Sequence, residues 1–474
     1  MKQQFLRRAL GGALSIGLLM QPALAAVTPD IPQGWTAPFS DVAEGDWYTP
    51  FVSTLNSQGV INGYDDGRFG PNDAVKAGDA ILMVVKAAGS GDQPAPEGGH
   101  YAAGYVQYAL DHGWLTQSQA AVDLNAPASR LYIAALAAKA LGLSASTKRS
   151  PFADVSDGYV TALYQNGVVV GEKSGSKRYF KPNDSITRAE LSVIVWQVMA
   201  FDDYIHFSSH VLEKLDGVPV NDYDNAAFVS SDGMMTYTKE NGSLAGIDVS
   251  SHQGTIDWAK VAEDGIDFAI IRCGGRYYQS GTVFEDKQFR ANIQGALDAG
   301  IQVGIYFFSQ ATSAQEAREE AQFVLDTIQG YDVTGPVVFD WENIGNDSAR
   351  TDGMTSAQVT AAANAFCGRI EAAGYQPMIY FNQYIGYLLY DLDQVTQYPF
   401  WLAEYTDKPT FYYHFEMWQY TSSGSVDGIT GKVDRNLWMP KEAPVRPDRP
   451  SQETEPGEDE EAMPPSQDIS REQS

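Results

Sequence analysis

The sequence predicts an α/β protein: an irregular, TIM-like barrel of (β/α)5β3 type, preceded by an all-α region of three repeats. Two patterns carry that reading. From residue 244 to 440, short apolar runs alternate with amphipathic helical stretches, as in a sheet built from βα units, and the last runs follow one another without helices. From residue 38 to 200, Gly59-Val60-Ile61, Gly113-Trp114-Leu115 and Gly167-Val168-Val169 recur at a constant step of 54 residues. A fixed period of that size marks one supersecondary unit used three times, each burying its apolar face against the others. A doubly wound open sheet is the alternative for the second half, but no glycine-rich phosphate loop follows its first strand.

Taken in order, the chain opens on Lys2, Arg7 and Arg8, an apolar run over 9–20, and Ala23-Leu24-Ala25. That order is a secretory signal peptide, cleaved after Ala25. As a membrane anchor the run is too short, since a span needs about 20 apolar residues. The repeats occupy 38–90, 97–145 and 150–200, each reading helix, polar turn, helix. Two copies open with Phe-x-Asp-Val, at Phe39 and Phe152, and the same two carry Pro-Asn-Asp, at Pro71 and Pro182. The middle copy has only Asn125-Ala126-Pro127. Residues 201–243 lack clean periodicity and read as a linker with room for a short hairpin. Residues 441–474, rich in Pro, Glu, Gln and Ser, read as a disordered acidic tail.

Within 244–440, strand-like runs fall at 246–250, 268–273, 302–308, 336–341, 377–381, 400–405, 415–420 and 433–438. Ser313-x-x-Glu316 and Thr355-x-x-Gln358 are capping boxes that open two of the helices between them. Cys273 and Cys367 each sit on an apolar element and read as buried free thiols, without the spacing of a metal site.

The net charge is −28, from 32 basic and 60 acidic residues. This argues against a nucleic-acid binder, which presents a basic face to phosphate, and against a basic amphipathic membrane binder. It leaves an acidic, exported protein.

The repeats resemble the S-layer homology domain, a helix–loop–helix module that anchors proteins to bacterial cell walls. The family's Thr-Arg-Ala-Glu signature is intact at Thr187-Arg188-Ala189-Glu190; the other copies depart, to Val75-Lys76-Ala77-Gly78 and Ala128-Ser129-Arg130-Leu131. The resemblance implies binding of an anionic secondary wall polysaccharide, with Arg188 the foremost candidate, then Arg130 and Lys76, and Thr187 and Glu190 beside it. A guanidinium at a helix N-terminus would add its fork to free backbone N–H groups facing a carboxylate. Thr187 and Glu190 equally read as an N-cap and its capping-box partner.

In a barrel, catalytic groups lie at the C-terminal ends of the strands. Read in order, those ends give Asp248, Tyr306, Asp340 with Glu342, Tyr380, Glu404 with Tyr405, and Gln419 with Tyr420; Asp434 opens the last strand. Acids and aromatics gathered on one rim suit sugar recognition. Asp340 and Glu342 are two apart on a strand, so they face the same way, about 6.6 Å apart. Paired carboxylates raise one another's pKa, which keeps one protonated as the general acid that glycosidic cleavage needs.

This half resembles glycoside hydrolase family 25, the lysozymes of the Chalaropsis type. The matching residues are Gly246-Ile247-Asp248-Val249-Ser250-Ser251-His252-Gln253-Gly254, Asp257-Trp258, Ala269-Ile270-Ile271-Arg272, Gly304-Ile305-Tyr306-Phe307, Asp340-Trp341-Glu342, Trp418-Gln419-Tyr420 and Val433-Asp434-Arg435-Asn436. The family cleaves the β-1,4 bond between N-acetylmuramic acid and N-acetylglucosamine in peptidoglycan. The resemblance implies Glu342 as proton donor and then base, with Asp340 either orienting the substrate's own 2-acetamido group or attacking directly. Asp248 and Asp434 would tune the pair. Tyr306, Tyr380, Trp401, Trp418 and Gln419 are the candidate substrate-binding residues, while His252 reads as a structural partner. Neither metal nor cofactor is implied. The reading is a secreted, wall-anchored muramidase; a wall protein that binds glycan without cutting it and a chitinase-like enzyme are the alternatives.

Overall fold

The computed structural model describes residues 27–440, apart from 209, 232, 240–241 and 345–347. The signal peptide expected over 1–25 and the tail expected over 441–474 lie outside the described residues. Two compact units divide the chain, one ending at Lys214 and the other beginning at Leu215. No helix among the described residues is long and apolar enough to cross a membrane.

The first unit contains helices α1 (Thr49–Ser57), α2 (Ala77–Ala87), α3 (Ala103–Asp111), α4 (Gln117–Ala120), α5 (Arg130–Ala140), α6 (Gly158–Gln165) and α7 (Arg188–Met199). The recurrent glycines end the first helix of each repeat. Gly59, Gly113 and Gly167 all sit at φ 71°, the left-handed geometry that stops a helix at little cost only in glycine. Phe-x-Asp-Val also has a physical role. The Asp41 carboxylate accepts the N–H groups of Phe69 and Gly70, and Asp154 those of Phe180 and Lys181, at 2.7–2.9 Å. Each aspartate thereby fixes the loop ahead of Pro-Asn-Asp.

The three second helices start beside one another, and their start segments bond in a ring. Val75 N–H donates to the Ile186 carbonyl (2.9 Å), Ile186 to Ala128 (2.9 Å) and Ala128 back to Val75 (2.8 Å). The apolar core draws on all three repeats, including Leu55, Ile81, Leu136, Leu191 and Val195. This unit is not all-α as the sequence suggested. The third repeat holds a hairpin of β1 (Glu172–Ser174) and β2 (Lys177–Tyr179), and β3 (Tyr204–Phe207) pairs with β4 (His210–Glu213).

The segment expected as a linker is divided between the units. From Leu215 onward it belongs to the second: Asn221 N–H donates to the Tyr412 carbonyl at 2.9 Å. The hairpin of β5 (Phe228–Ser231) and β6 (Met234–Tyr237) sets Phe228 edge-on against Trp418 at 5.2 Å.

The barrel proper has eight strands: β7 (Leu244–Val249), β8 (Phe268–Arg276), β10 (Gln302–Ser309), β11 (Val337–Trp341), β12 (Pro377–Asn382), β13 (Phe400–Ala403), β14 (Met417–Gly424) and β15 (Val433–Trp438). A short β9 (Val283–Glu285) hangs on β8 as an antiparallel neighbour. Strands β7 to β14 pair in parallel around the ring, and β15 closes it antiparallel to both β14 and β7. Helices α8 (Trp258–Glu263), α9 (Phe289–Asp298), α10 (Ala314–Ile328), α11 (Ser356–Glu371) and α12 (Gln383–Leu388) fill the first five crossovers.

Thr355 and Gln358 form the full capping box at α11. At α10 only half forms: Ser313 accepts the Glu316 N–H, while the Glu316 carboxylate turns to the Thr312 N–H and to Arg350. Leu244, Phe268, Ile270, Val338, Met378, Trp401, Met417 and Trp438 belong to one buried cluster in the barrel lumen. Gly246 leaves room there for the Phe268 ring, whose atoms would lie 2.2 Å from an added Cβ. Cys273 in β8 and Cys367 in α11 are buried free thiols, and burial pushes both above their usual pKa.

Candidate active site

Alternate residues of a strand share a face, so each lumen row of the barrel continues upward into its rim. The rows Leu244–Gly246–Asp248, Phe268–Ile270–Arg272, Val338–Asp340–Glu342, Met378–Tyr380, Trp401–Ala403–Tyr405 and Met417–Gln419 pass from apolar packing to polar chemistry at the strands' C-terminal ends. Because β15 runs the other way, its beginning meets that rim, and Asp434 pairs in register with Asp248. The result is a cleft of about 250 Å³ lined by Asp248, Arg272, Tyr306, Phe308, Asp340, Glu342, Tyr380, Trp401, Tyr405, Gln419 and Asp434.

A directed hydrogen-bond network ends on Asp248. Its Oδ2 accepts from Gln419 Nε2 (2.7 Å) and Asn436 Nδ2 (2.8 Å). The amides are themselves oriented. Gln419 Oε1 accepts the hydroxyls of Tyr380 (3.0 Å) and Tyr405 (2.9 Å), and Asn436 Oδ1 accepts the Trp401 indole N–H (2.9 Å). Even so, burial first, and then the charge of Asp434, push Asp248 up to about 7.

Asp340 is placed differently. It is buried, and its Oδ1 has no hydrogen-bond partner among the described residues. Burial, then the charges of Glu342 and Asp248, raise its pKa well above the carboxylate range, while Arg272 pulls the other way. Arg272 is itself paired with Asp286 at 2.6 Å. Glu342 follows β11, and burial together with Asp434 raises its pKa; burial likewise raises Asp434. Carboxyls crowded into a poorly solvated cleft oppose one another's ionisation, so each holds its proton to a higher pH than a free carboxyl does. A proton held at a strand end, beside a carboxyl oxygen with no partner, is the equipment of general acid–base catalysis.

Eight of the nine catalytic and substrate-binding candidates in the barrel line this cleft: Asp248, Asp340, Glu342, Asp434, Tyr306, Tyr380, Trp401 and Gln419. Trp418 does not. It lies one residue from Gln419 and so faces outward, fully buried beneath Phe228 and Tyr420, with its indole N–H on the Glu404 carbonyl at 2.8 Å. Glu404 also leaves the rim, its carboxylate accepting from the Thr410 and Phe411 N–H groups. His252 is exposed in the turn after β7 and is not among the cleft residues. Arg272 and Phe308 line the cleft and Asn436 positions Asp248, roles the sequence reading did not assign; the two-residue alternation was the available signal.

In the repeat unit the candidate residues are engaged internally. Arg188 donates from Nε to the Phe69 carbonyl (2.6 Å) and from Nη2 to Asn62 (2.7 Å), with its guanidinium over the rings of Tyr64 and Phe69. Arg130 repeats this one junction along, donating to the Phe180 carbonyl and pairing with Glu190. Thr187 and Glu190 form a full capping box. The backbone N–H groups expected to be free at these helix starts are occupied: those of Arg188 and Ala189 donate to Asp73 and Pro71, and those of Arg130 and Leu131 to Asp184 and Pro182. The same pattern at Ala77 and Gly78 makes Ala77, not Lys76, the counterpart of Arg188. Lys76 is an exposed N-cap residue without a side-chain cap bond.

Comparison with known proteins settles the class of the barrel. Residues 247–429 match the model of glycosyl hydrolases family 25, and residues 38–81 and 151–192 match the S-layer homology domain. The middle repeat lies outside those two matches. An uncharacterized protein, YegX, of Escherichia coli (strain K12) is 30% identical over 206 residues, covering 41% of this chain and 70% of that protein. The chain belongs to glycosyl hydrolases family 25. Lysozyme M1 of Streptomyces globisporus is 29% identical over 210 residues, covering 42% of this chain and 68% of its own. The autolytic lysozyme of Clostridium acetobutylicum is 28% identical over 193 residues, covering 40% and 54%. The chain thus spans 54–70% of these relatives' lengths. Asp248, Asp340, Glu342 and Asp434 are the carboxyls that line the cleft at this barrel's rim.

Proposed function

We propose that the protein is a secreted muramidase that hydrolyses the β-1,4 bond between N-acetylmuramic acid and N-acetylglucosamine in peptidoglycan, held at the bacterial cell wall by its repeats. The observation that supports this most directly is the unequal treatment of the rim carboxyls. Glu342 keeps its proton and donates it to the leaving glycosidic oxygen, then takes a proton from the attacking water. Asp340 presents an oxygen without a partner, ready to accept the N–H of the substrate's 2-acetamido group. Its carbonyl oxygen then closes on the anomeric carbon, the substrate-assisted variant of retaining hydrolysis. Asp248, held by Gln419 and Asn436, and Asp434 keep the field negative around the developing oxocarbenium. The family assignment and the lysozyme names of two relatives support the same reading. For anchoring, the two S-layer homology matches favour an anionic wall polysaccharide, with half-buried Arg188 the first residue to test. Purified peptidoglycan incubated with the protein should yield new reducing muramic ends, and with Glu342→Gln it should not. Absence of such ends with the unmodified chain would remove the enzyme reading.

A further inference from the structure

A second groove, of about 510 Å³, adjoins the cleft; Ser230, Met235, Tyr405, Thr421, Ser423 and Arg435 are among its lining residues. Tyr405 lines both hollows and is 56% exposed, so one ligand can pass from one to the other along its ring. Part of its wall is the β5–β6 hairpin, which lies ahead of the residues that match the family model. The pairing of β14 with β15 shifts register at Gln419/Thr421 and again at Thr421/Gly424. Bulges of this kind re-aim side chains at barrel rims, and here the strand carries Thr421 and Ser423 into the groove lining.

Arg435 is the buried cation of the groove lining. It is only 7% exposed; Nη1 donates to the Gly233 carbonyl at 3.0 Å, Nη2 donates to Ser425, and Asp264 lies 3.7 Å away. The Tyr420 side chain also meets the guanidinium, and Nε is buried without a well-formed hydrogen bond among the described residues. A buried donor of that kind calls for a carbonyl acceptor. Around it stand hydroxyls that can exchange hydrogen bonds with sugar hydroxyls, and a tyrosine ring that can cover an apolar sugar face.

We propose that this groove is an additional saccharide subsite, holding an N-acetylated sugar unit of the same glycan strand beyond those in the cleft. Arg435 Nε donates to the acetamido carbonyl, Thr421 and Ser423 meet the ring hydroxyls, and Tyr405 bridges the two hollows. The proposal deepens the muramidase reading and rests on it for the identity of the strand. It makes the enzyme a reader of chain length, binding long glycan in preference to short.

The test uses the full chain carrying Glu342→Gln, which binds without turnover, titrated with peptide-free glycan di-, tetra-, hexa- and octasaccharides. Affinity should rise about tenfold at the length that first fills the groove, the worth of one or two good hydrogen bonds. Adding Thr421→Leu and Ser423→Leu, both at solvent-accessible positions, should abolish that step, leave the shortest oligomer's affinity unchanged and keep the same melting temperature. An equal length dependence with and without the leucines overturns the proposal. So does a step that appears only when stem peptides are attached, which would give the groove to peptide. Hydrolysis by the unmodified chain is scored separately: a length step without hydrolysis keeps the groove and removes the muramidase reading.

Discussion

In the repeat unit, the signature arginines give their donors to the loop of an adjacent repeat, and the helix starts beside them have no free N–H left to offer. In the barrel, Asp340 keeps a buried oxygen with no partner, and Asp248, Glu342 and Asp434 crowd together at raised pKa. The contrast separates two reasons for a motif to exist. A charged group whose hydrogen bonds are satisfied stabilises a fold; one left wanting is available to a substrate. Thr-Arg-Ala-Glu is bonded as a joint, whereas Asp-Trp-Glu keeps the unpaired oxygen and the raised pKa values that the proposed hydrolysis would use.

The largest expected effect comes from Glu342→Gln, which should lower peptidoglycan hydrolysis about 10³-fold, the usual scale of general acid catalysis. Barrel stability at neutral pH should hold or rise, because the change removes a half-buried ionisable group from among other carboxyls. A large loss of stability instead would move Glu342 to the structural side of the contrast.

Asn436→Ala comes next. It takes one donor from Asp248 and leaves the buried Trp401 N–H without its acceptor, so denaturant titration should show the barrel less stable by about 2–4 kcal/mol. No loss would mean the network is dispensable.

Arg188→Ala should lower the repeat unit's stability by about 2 kcal/mol, through two lost hydrogen bonds and a guanidinium stacked on rings. Sedimentation with polysaccharide-bearing walls should fall with it. Arg188→Lys should recover little, since an ammonium lacks the fork that reaches two carbonyls. A loss of wall binding with no loss of stability would make this arginine a ligand contact rather than a joint.

The smallest effect is a pH dependence that differs between the units. A carboxyl whose folded pKa lies above its unfolded value near 4 binds more protons folded than unfolded, so stability falls as pH rises between the two. For Asp248 that interval runs from about 4 to about 7, and Asp340, Glu342 and Asp434 shift in the same direction. The barrel should therefore melt a few degrees higher at pH 5 than at pH 8. In the repeat unit Asp41 has the opposite sign: burial pushes it up, but the Phe69 and Gly70 N–H groups prevail and hold it low. Its contribution is complete before pH 5, so that unit's transition should scarcely move. Parallel shifts in both transitions would erase the distinction.

The eight barrel strands were legible because each is a short apolar run bounded by turns, and the rim carboxyls because Asp248, Asp340 and Glu342 close such runs while Asp434 opens the last one. The misplacement of Trp418 had its remedy in the same pattern: Trp418 and Gln419 are neighbours on a strand and cannot share a face. The first repeat has alanine where the others have arginine, which puts its nearest cation, Lys76, one place out of register with Arg188. Nothing local announced the β5–β6 hairpin as part of the barrel unit. Its strands are short and partly polar, and what holds them is Phe228 on Trp418 and the Met235 N–H on the Tyr420 hydroxyl, contacts nearly two hundred residues apart in the chain.

The ring of backbone bonds through Val75, Ile186 and Ala128 has one more consequence. A stack of repeats open at both ends can gain or lose a member and adjust its length, whereas a ring of three has no terminal member to shed. Deleting any copy breaks two of the three bonds at once, so the unit should lose its fold as a whole rather than shorten. The order in which the ribosome makes the copies leaves no mark on the finished ring. A permuted gene that joins the third copy to the first, and begins at the second, should produce the same object.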